Sequence, residues 1–294
     1  MHILITDSGV GGLSVCAYAE RFLQTHSIGE PVKLTYVNAS PENDFGYNSM
    51  GSKREKLRNF DRFLELISDT YSPDFIYIAC NTLSVLYSDT TFSKNARIPV
   101  QGIVETGVNR LLRDIGRSPR SMVAIFGTPT TIEEQTYSRL LQQRGIDVTR
   151  VISQACPSLA DTISEDRRGV SAKKKIEKYV DAAIENSDQK STDYLAYLAC
   201  THYGYRREFF SAAFEERGIN VKVLNPNEFV IDDLFHKYEP KQDRTTSKSE
   251  VSVKFITRYK IPETALETIA FFLDDVSSKT VEAFTNYTHA PDLF

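Results

Sequence analysis

The sequence carries no CxxC pair, no cysteine–histidine spacing of a zinc knuckle, and no apolar stretch of membrane-span length. It has no excess of positive charge either. Each absence excludes a class. Its four cysteines, Cys16, Cys80, Cys156 and Cys200, are too far apart for a zinc knuckle or a thioredoxin-like motif. A net charge of -4 and a pI near 5.8 do not suit nucleic-acid binding. The start, Met1 to Thr6, lacks the basic residues and small-residue cleavage site of a secretory leader. The expected location is therefore the cytoplasm, where cysteines stay as thiols. No short tandem repeat and no GxGxxG fingerprint is present, since the glycines of the first turn fall at 9, 11 and 12.

What remains is an ordinary soluble composition over 294 residues, enough for two modest domains. Strand-like and helix-like segments alternate, which predicts α/β units with mostly parallel sheets. Strands are expected at 2–6, 32–38, 75–80, 100–103, 122–126, 147–152, 194–199, 221–224 and 251–257. Helices are expected at 11–24, 53–70, 83–88, 107–115, 131–144, 172–186, 205–216 and 262–273. Residues 237–250, polar and containing Pro240, read as a surface linker, and 286–294 as a tail that packs weakly or crosses to a partner.

Two apolar runs in opposite halves end in the same dipeptide. Phe75 to Ala79 closes on Cys80-Asn81-Thr82, and Tyr194 to Ala199 closes on Cys200-Thr201-His202. Ligands of open parallel sheets bind at such strand ends. Two thiols facing one cleft suit a reaction that needs an acid or base on each face of a planar intermediate. Taken singly, cysteines such as Cys80 and Cys200 are more often buried small hydrophobes than catalysts. His202 stands where it can exchange a proton with Cys200, and the bland alternative is a capping or core histidine. Asp7 and Ser8 open a glycine-rich turn after the first strand, able to receive an ammonium or a carboxylate, or merely to cap a helix. Thr128 and Thr131 fit an anion or an N-cap equally. Cys156 reads as structural.

The pieces DSGVGGLSV (7–15), ACNT (79–82), IVETG (103–107), GTPTTI (127–132), ACP (155–157) and ACTHY (199–203), in this order, resemble the cofactor-independent glutamate racemase family of the aspartate/glutamate racemase superfamily. The resemblance covers nearly the whole chain. It implies two similar α/β domains related by a pseudo-two-fold, 1–99 with about 207–294 and 100–206, and an active site in the interdomain cleft. It implies interconversion of L- and D-glutamate with no cofactor, neither pyridoxal phosphate nor metal, in a homodimer that supplies D-glutamate for peptidoglycan. Carried over by motif, Cys80 and Cys200 are the acid/base pair and Asp7 and His202 assist them. Asn81, Thr82 and Thr201 hold the α-carboxylate; Ser8, Thr128 and Thr131 are candidates for the side-chain carboxylate.

The chain departs from the family pattern at the distal end of that pocket. Phe45-Gly46-Tyr47-Asn48 stands where Pro-Tyr-Gly is usual, so Tyr47 and Asn48 join the substrate-binding candidates. Ser164 stands where a glutamate is usual, with Glu165 one residue late. Thr106 and Gly204 replace prolines, and Glu134 replaces a serine. The alternatives are a racemase of another amino acid such as aspartate, a non-catalytic homologue, or a cysteine hydrolase built on Cys200 and His202.

Overall fold

The computed structural model describes residues 1–42, 46–187, 191–235 and 249–294. Phe45, and the linker expected at 237–250 up to residue 248, lie outside the described residues. The strands are β1 (His2–Asp7), β2 (Val32–Asn38), β3 (Phe75–Ile78), β4 (Val100–Gly102), β5 (Met122–Gly127), β6 (Val151–Ala155), β7 (Asp193–Ala199), β8 (Asn220–Leu224), β9 (Val251–Thr257) and β10 (Thr288–His289). They form two sheets, ordered β10-β9-β2-β1-β3-β4 and β6-β5-β7-β8. Every pairing is parallel. With helices alternating between strands, this is the expected α/β class.

The chain divides into two compact units, Met1–Ile103 with Asn227–Phe294, and Val104–Pro226. These limits differ from those read in the sequence, which join residues 207–226 to the first domain. The physical reason is β8, which pairs with β7 from Asp193↔Asn220 to Tyr197↔Leu224.

Parallel strands covered on both faces read as unbroken apolar runs. In β1, Ile3 to Asp7 are all buried, and so is all of β5. The helix Lys53–Tyr71 shows how the faces are covered. Ser52 caps it by accepting from Glu55 N, and Phe60, Phe63, Leu64 and Ile67 recur at helical spacing on its buried face. Each such fully buried side chain stabilises by roughly 1.5–3 kcal/mol. In the other unit Phe126 packs edge-on against Phe210 and Phe214.

Four expectations are corrected. The helix expected at 131–144 is two, Pro129–Glu133 and Thr136–Gln143, because Gln135 is left-handed at φ 51 and cannot continue the first. The strand expected from 147 begins at Val151, because Asp147 accepts from Thr149 N and winds a 3-10 turn over Val148–Arg150. The helix expected from 205 opens as a 3-10 turn, Tyr203–Arg206, before Arg207–Glu215. The tail does not pack weakly: β10 pairs with β9, Ala290 N donates to Thr257 O at 2.8 Å, and the Phe294 ring meets Phe63 edge-on at 5.1 Å. Among the described residues four α-helices escaped the sequence reading, Thr91–Asn95, Leu159–Glu165, Val230–Phe235 and Ser278–Thr285.

Candidate active site

In the first unit β1, β2 and β3 are neighbours, so their carboxyl ends share one sheet edge. Asp7 is the last residue of β1 and pairs with Asn38 of β2. Cys80, two residues past β3, is the N-cap of the helix Asn81–Tyr87. The turn after β1 brings Ser8 Oγ to 3.1 Å from Cys80 Sγ. Gly9 N donates to Asp7 Oδ1 at 2.9 Å. The turn passes so close to Asp7 that a Cβ on Gly12 would lie 2.8 Å from both Asp7 Cβ and Asp7 Oδ2.

Burial pushes the Cys80 thiol up to about 12, and the Asp7 charge adds to it. The Ser8 hydroxyl and the backbone N–H groups of Ser8 and Leu83 pull the other way. A thiol so placed rests protonated, beside a carboxylate that opposes its ionisation and a hydroxyl that eases it.

Asn81 and Thr82 are buried in the first turn after Cys80. Tyr47 and Asn48 sit in the turn closed by Ser49 N donating to Gly46 O at 2.9 Å. Tyr47 is buried with its ring edge-on to Phe60, and its hydroxyl finds no hydrogen-bond partner among the described residues. Burial, then the Cys80 charge, raises its phenol well above the ordinary range. Asn48 is exposed.

In the second unit β5 and β7 end level, Gly127 opposite Ala199. Thr128 and Cys200 therefore follow adjacent strand ends. Cys200 Sγ lies 3.8 Å from His202 Nδ1. Thr201 is buried between them in sequence. Thr128 Oγ1 and Thr131 Oγ1 are 2.9 Å apart, and Thr128 also caps its helix by accepting from Thr131 N. Cys156 is buried, and its carbonyl accepts from Tyr203 Oη at 3.2 Å. Ser164 turns back on its own helix, donating to Ala160 O at 3.2 Å.

The His202 imidazole is pushed down to about 4, chiefly by burial, with the Asp161 charge opposing. At neutral pH the ring is therefore uncharged and able to exchange a proton with the thiol beside it. The unfolded chain, with histidine near 6.5, binds more protons than the folded one below that pH. The stability tied to His202 is thus complete above about 6.5 and falls as the pH drops toward about 4, by roughly 3 kcal/mol in the limit. His202→Asn is expected to flatten this acid limb in urea unfolding followed from pH 7 to 4. Coincident limbs would mean that the ring is not held neutral.

Sequence reading missed Gly12 as a neighbour of Asp7, Asp161 as the charge acting on His202, and Tyr36, whose hydroxyl donates to Gly9 O at 2.7 Å. Gly12 had a signal, the glycine pair after Val10. Tyr36 had none, because only strand register carries it beneath that turn.

The fold and these strand ends define an α/β protein of parallel sheets with a buried thiol at the carboxyl edge of each sheet. The sequence model of the Asp/Glu/Hydantoin racemase family matches residues 11–232, and the chain belongs to that family, a family of isomerases. Glutamate racemase of Aquifex pyrophilus is 30% identical over 205 residues, 69% of this chain and 71% of that one. Glutamate racemase of Streptococcus thermophilus is 27% identical over 228 residues, 78% of this chain and 76% of that one. Among solved structures, the glutamate racemase isoform RacE1 of Bacillus anthracis superposes with a TM-score of 0.71 at 18% identity, covering 94% of this chain and 95% of that one. The Francisella tularensis glutamate racemase in complex with D-glutamate gives 0.70 at 22% identity, covering 94% of each. At these identities the structural likeness speaks for the fold.

Proposed function

We propose that this protein is a cofactor-independent glutamate racemase, in which Cys80 and Cys200 act on the two faces of one α-carbon. The observation that carries the reading is the provision made for each thiol. Each lies within hydrogen-bonding range of a side chain able to steady or exchange its proton, Ser8 at 3.1 Å and His202 at 3.8 Å. The names of the relatives supply glutamate.

In this reading Asp7 receives the substrate ammonium. Burial does most to hold the Cys80 thiol up and the carboxylate charge adds to it; the pairing cancels that added part and so eases thiolate formation when substrate is bound. One thiolate then takes the α-proton and the opposite thiol returns one to the other face. His202, neutral before the reaction, trades a proton with Cys200. Asn81, Thr82 and Thr201 hold the α-carboxylate, where negative charge grows as the proton leaves. Thr128, Thr131 and the otherwise unpaired Tyr47 hydroxyl take the side-chain carboxylate. Ser8, placed by its hydroxyl on the thiol, serves Cys80. The product D-glutamate supplies peptidoglycan, and the enzyme works as a cytoplasmic homodimer.

The test is deuterium wash-in at the α-carbon of L- and D-glutamate, and of both aspartates, in D2O with purified protein and no added cofactor. Exchange and inversion of glutamate are expected. Exchange of aspartate alone moves the substrate within the family, and exchange of neither removes the reading.

Thr131→Val keeps the shape and removes one hydroxyl of the Thr128–Thr131 pair. A lost hydrogen bond to a charged group costs about 1.5–3 kcal/mol, so kcat/KM for glutamate is expected to fall roughly ten- to a hundredfold. An unchanged kcat/KM in a substrate panel would remove Thr131 from the carboxylate pocket.

A further inference from the structure

The turn from Ser8 to Gly12 brings Cys80 both its hydroxyl and, through Gly9 N, its hold on Asp7. Three of its five residues are glycine, so the turn has little stiffness of its own. Backbone N–H groups of Leu13 to Cys16 hold the carbonyls of Val10, Gly11 and Gly12, and side chains hold the carbonyls of Gly11 and Gly9. Ser14 Oγ donates to Gly11 O at 3.0 Å and accepts from Asn227 Nδ2 at 2.8 Å. The other anchor is nearer the thiol: Tyr36 Oη donates to Gly9 O at 2.7 Å. Gly9 is thus held at both polar groups, its N–H by Asp7 and its carbonyl by Tyr36. The Tyr36 ring is fully buried in the sheet core, 5.1 Å from the Phe255 ring, so its hydroxyl is presented from a rigid support.

We propose that Tyr36 is a positioning residue for the chemistry of Cys80, its hydroxyl pinning the Gly9 carbonyl and so aiming Ser8 Oγ at the thiol. The inference rests on the reading of Cys80 as an acid/base. Its action is on the first unit's thiol, so it differs from a general contribution to folding. Removing the hydroxyl frees the turn while the ring keeps the core filled. The Ser8 hydroxyl then loses its bearing on Sγ, and the thiolate loses a donor.

The experiment compares wild type, Tyr36→Phe, Ser8→Ala and the double variant. Methyl methanethiosulfonate labelling across pH, read by peptide mass spectrometry, follows Cys80 and Cys200 separately. Tyr36→Phe is expected to move the Cys80 ionisation midpoint upward and slow its labelling roughly three- to tenfold at fixed pH, with the Cys200 profile unmoved. Adding Tyr36→Phe to Ser8→Ala is expected to change little more, because both act through one contact. Deuterium wash-in is expected to fall for the enantiomer deprotonated by Cys80, in kcat more than in KM. An unmoved Cys80 midpoint overturns the inference. So do fully additive effects in the double variant, or equal changes at both thiols accompanied by a lowered Tm. The labelling arm needs no turnover. A wild type that exchanges no α-proton therefore refutes the racemase reading while the thiol profiles still decide the role of Tyr36.

Discussion

Cys80→Ser and Cys200→Ser are each expected to lower racemisation of glutamate by a hundredfold to ten-thousandfold, the usual weight of a positioned acid or base. The two losses have the same size for the same reason. A serine hydroxyl at either place is too weak an acid to deliver a proton and too reluctant to become the base. The informative result is the asymmetry left behind. A single variant retains one competent thiol, so it still exchanges the α-proton of one enantiomer with solvent deuterium while failing to invert it. The two variants are expected to retain opposite enantiomers. Racemisation at the wild-type rate in either variant would end the two-thiol mechanism. Exchange of the same enantiomer in both would show that the thiols do not serve opposite faces.

Gly12→Ala is expected to be nearly as damaging although it adds one methyl group. Gly12 has φ -68 and ψ -6, a conformation open to alanine, so the backbone offers no objection. The objection is contact: the new Cβ falls 2.8 Å from Asp7 Cβ and Oδ2 and 3.1 Å from Ala79 Cβ. Asp7 is buried and held through Oδ1 by Gly9 N, so it cannot yield without turning its carboxylate. Overpacking of this kind destabilises by about 1–3 kcal/mol. Misplacing a group by an ångström costs on the order of a hundredfold in rate. The measurement is kcat beside a urea midpoint. Gly116→Ala is the control, since its added Cβ meets nothing within 4 Å in the helix Ile103–Arg117. That change is expected to be neutral or to stabilise by up to about 1 kcal/mol. If Gly12→Ala and Gly116→Ala behave alike, the close approach to Asp7 has no consequence for the reaction.

Much of the fold was legible because its signals are local. The runs Phe75 to Ala79 and Tyr194 to Ala199 are apolar without alternation, which is how a strand covered on both faces must read. The family resemblance was legible for the same reason, as unbroken motifs at turns. What stayed hidden depends on contacts between distant segments or on backbone states without a residue signature. Gln135 breaks a helix from a left-handed conformation that glycine would have announced and glutamine does not. The meeting of Ser8 with Cys80 spans 72 residues and follows from the pairing of Ile5 with Tyr77. The tail's docking through Phe294 needed the position of Phe63, which no pattern near residue 294 contains. The second unit's reach to Pro226 depended likewise on β8 choosing β7.

The division of the chain bears on how the molecule is made. Val104–Pro226 is continuous, so all four strands of its sheet leave the ribosome in succession and can pair as they emerge. The other unit is interrupted. The free side of β2 waits for β9, synthesised more than 200 residues later, and Val32 to Val37 have no neighbour on that side until Val251 to Ile256 arrive. During synthesis the Cys80 half is an unfinished sheet with an open edge, while the Cys200 half is already closed. A released chain truncated after residue 250 should therefore resist protease across 104–226 and be cut within 1–103.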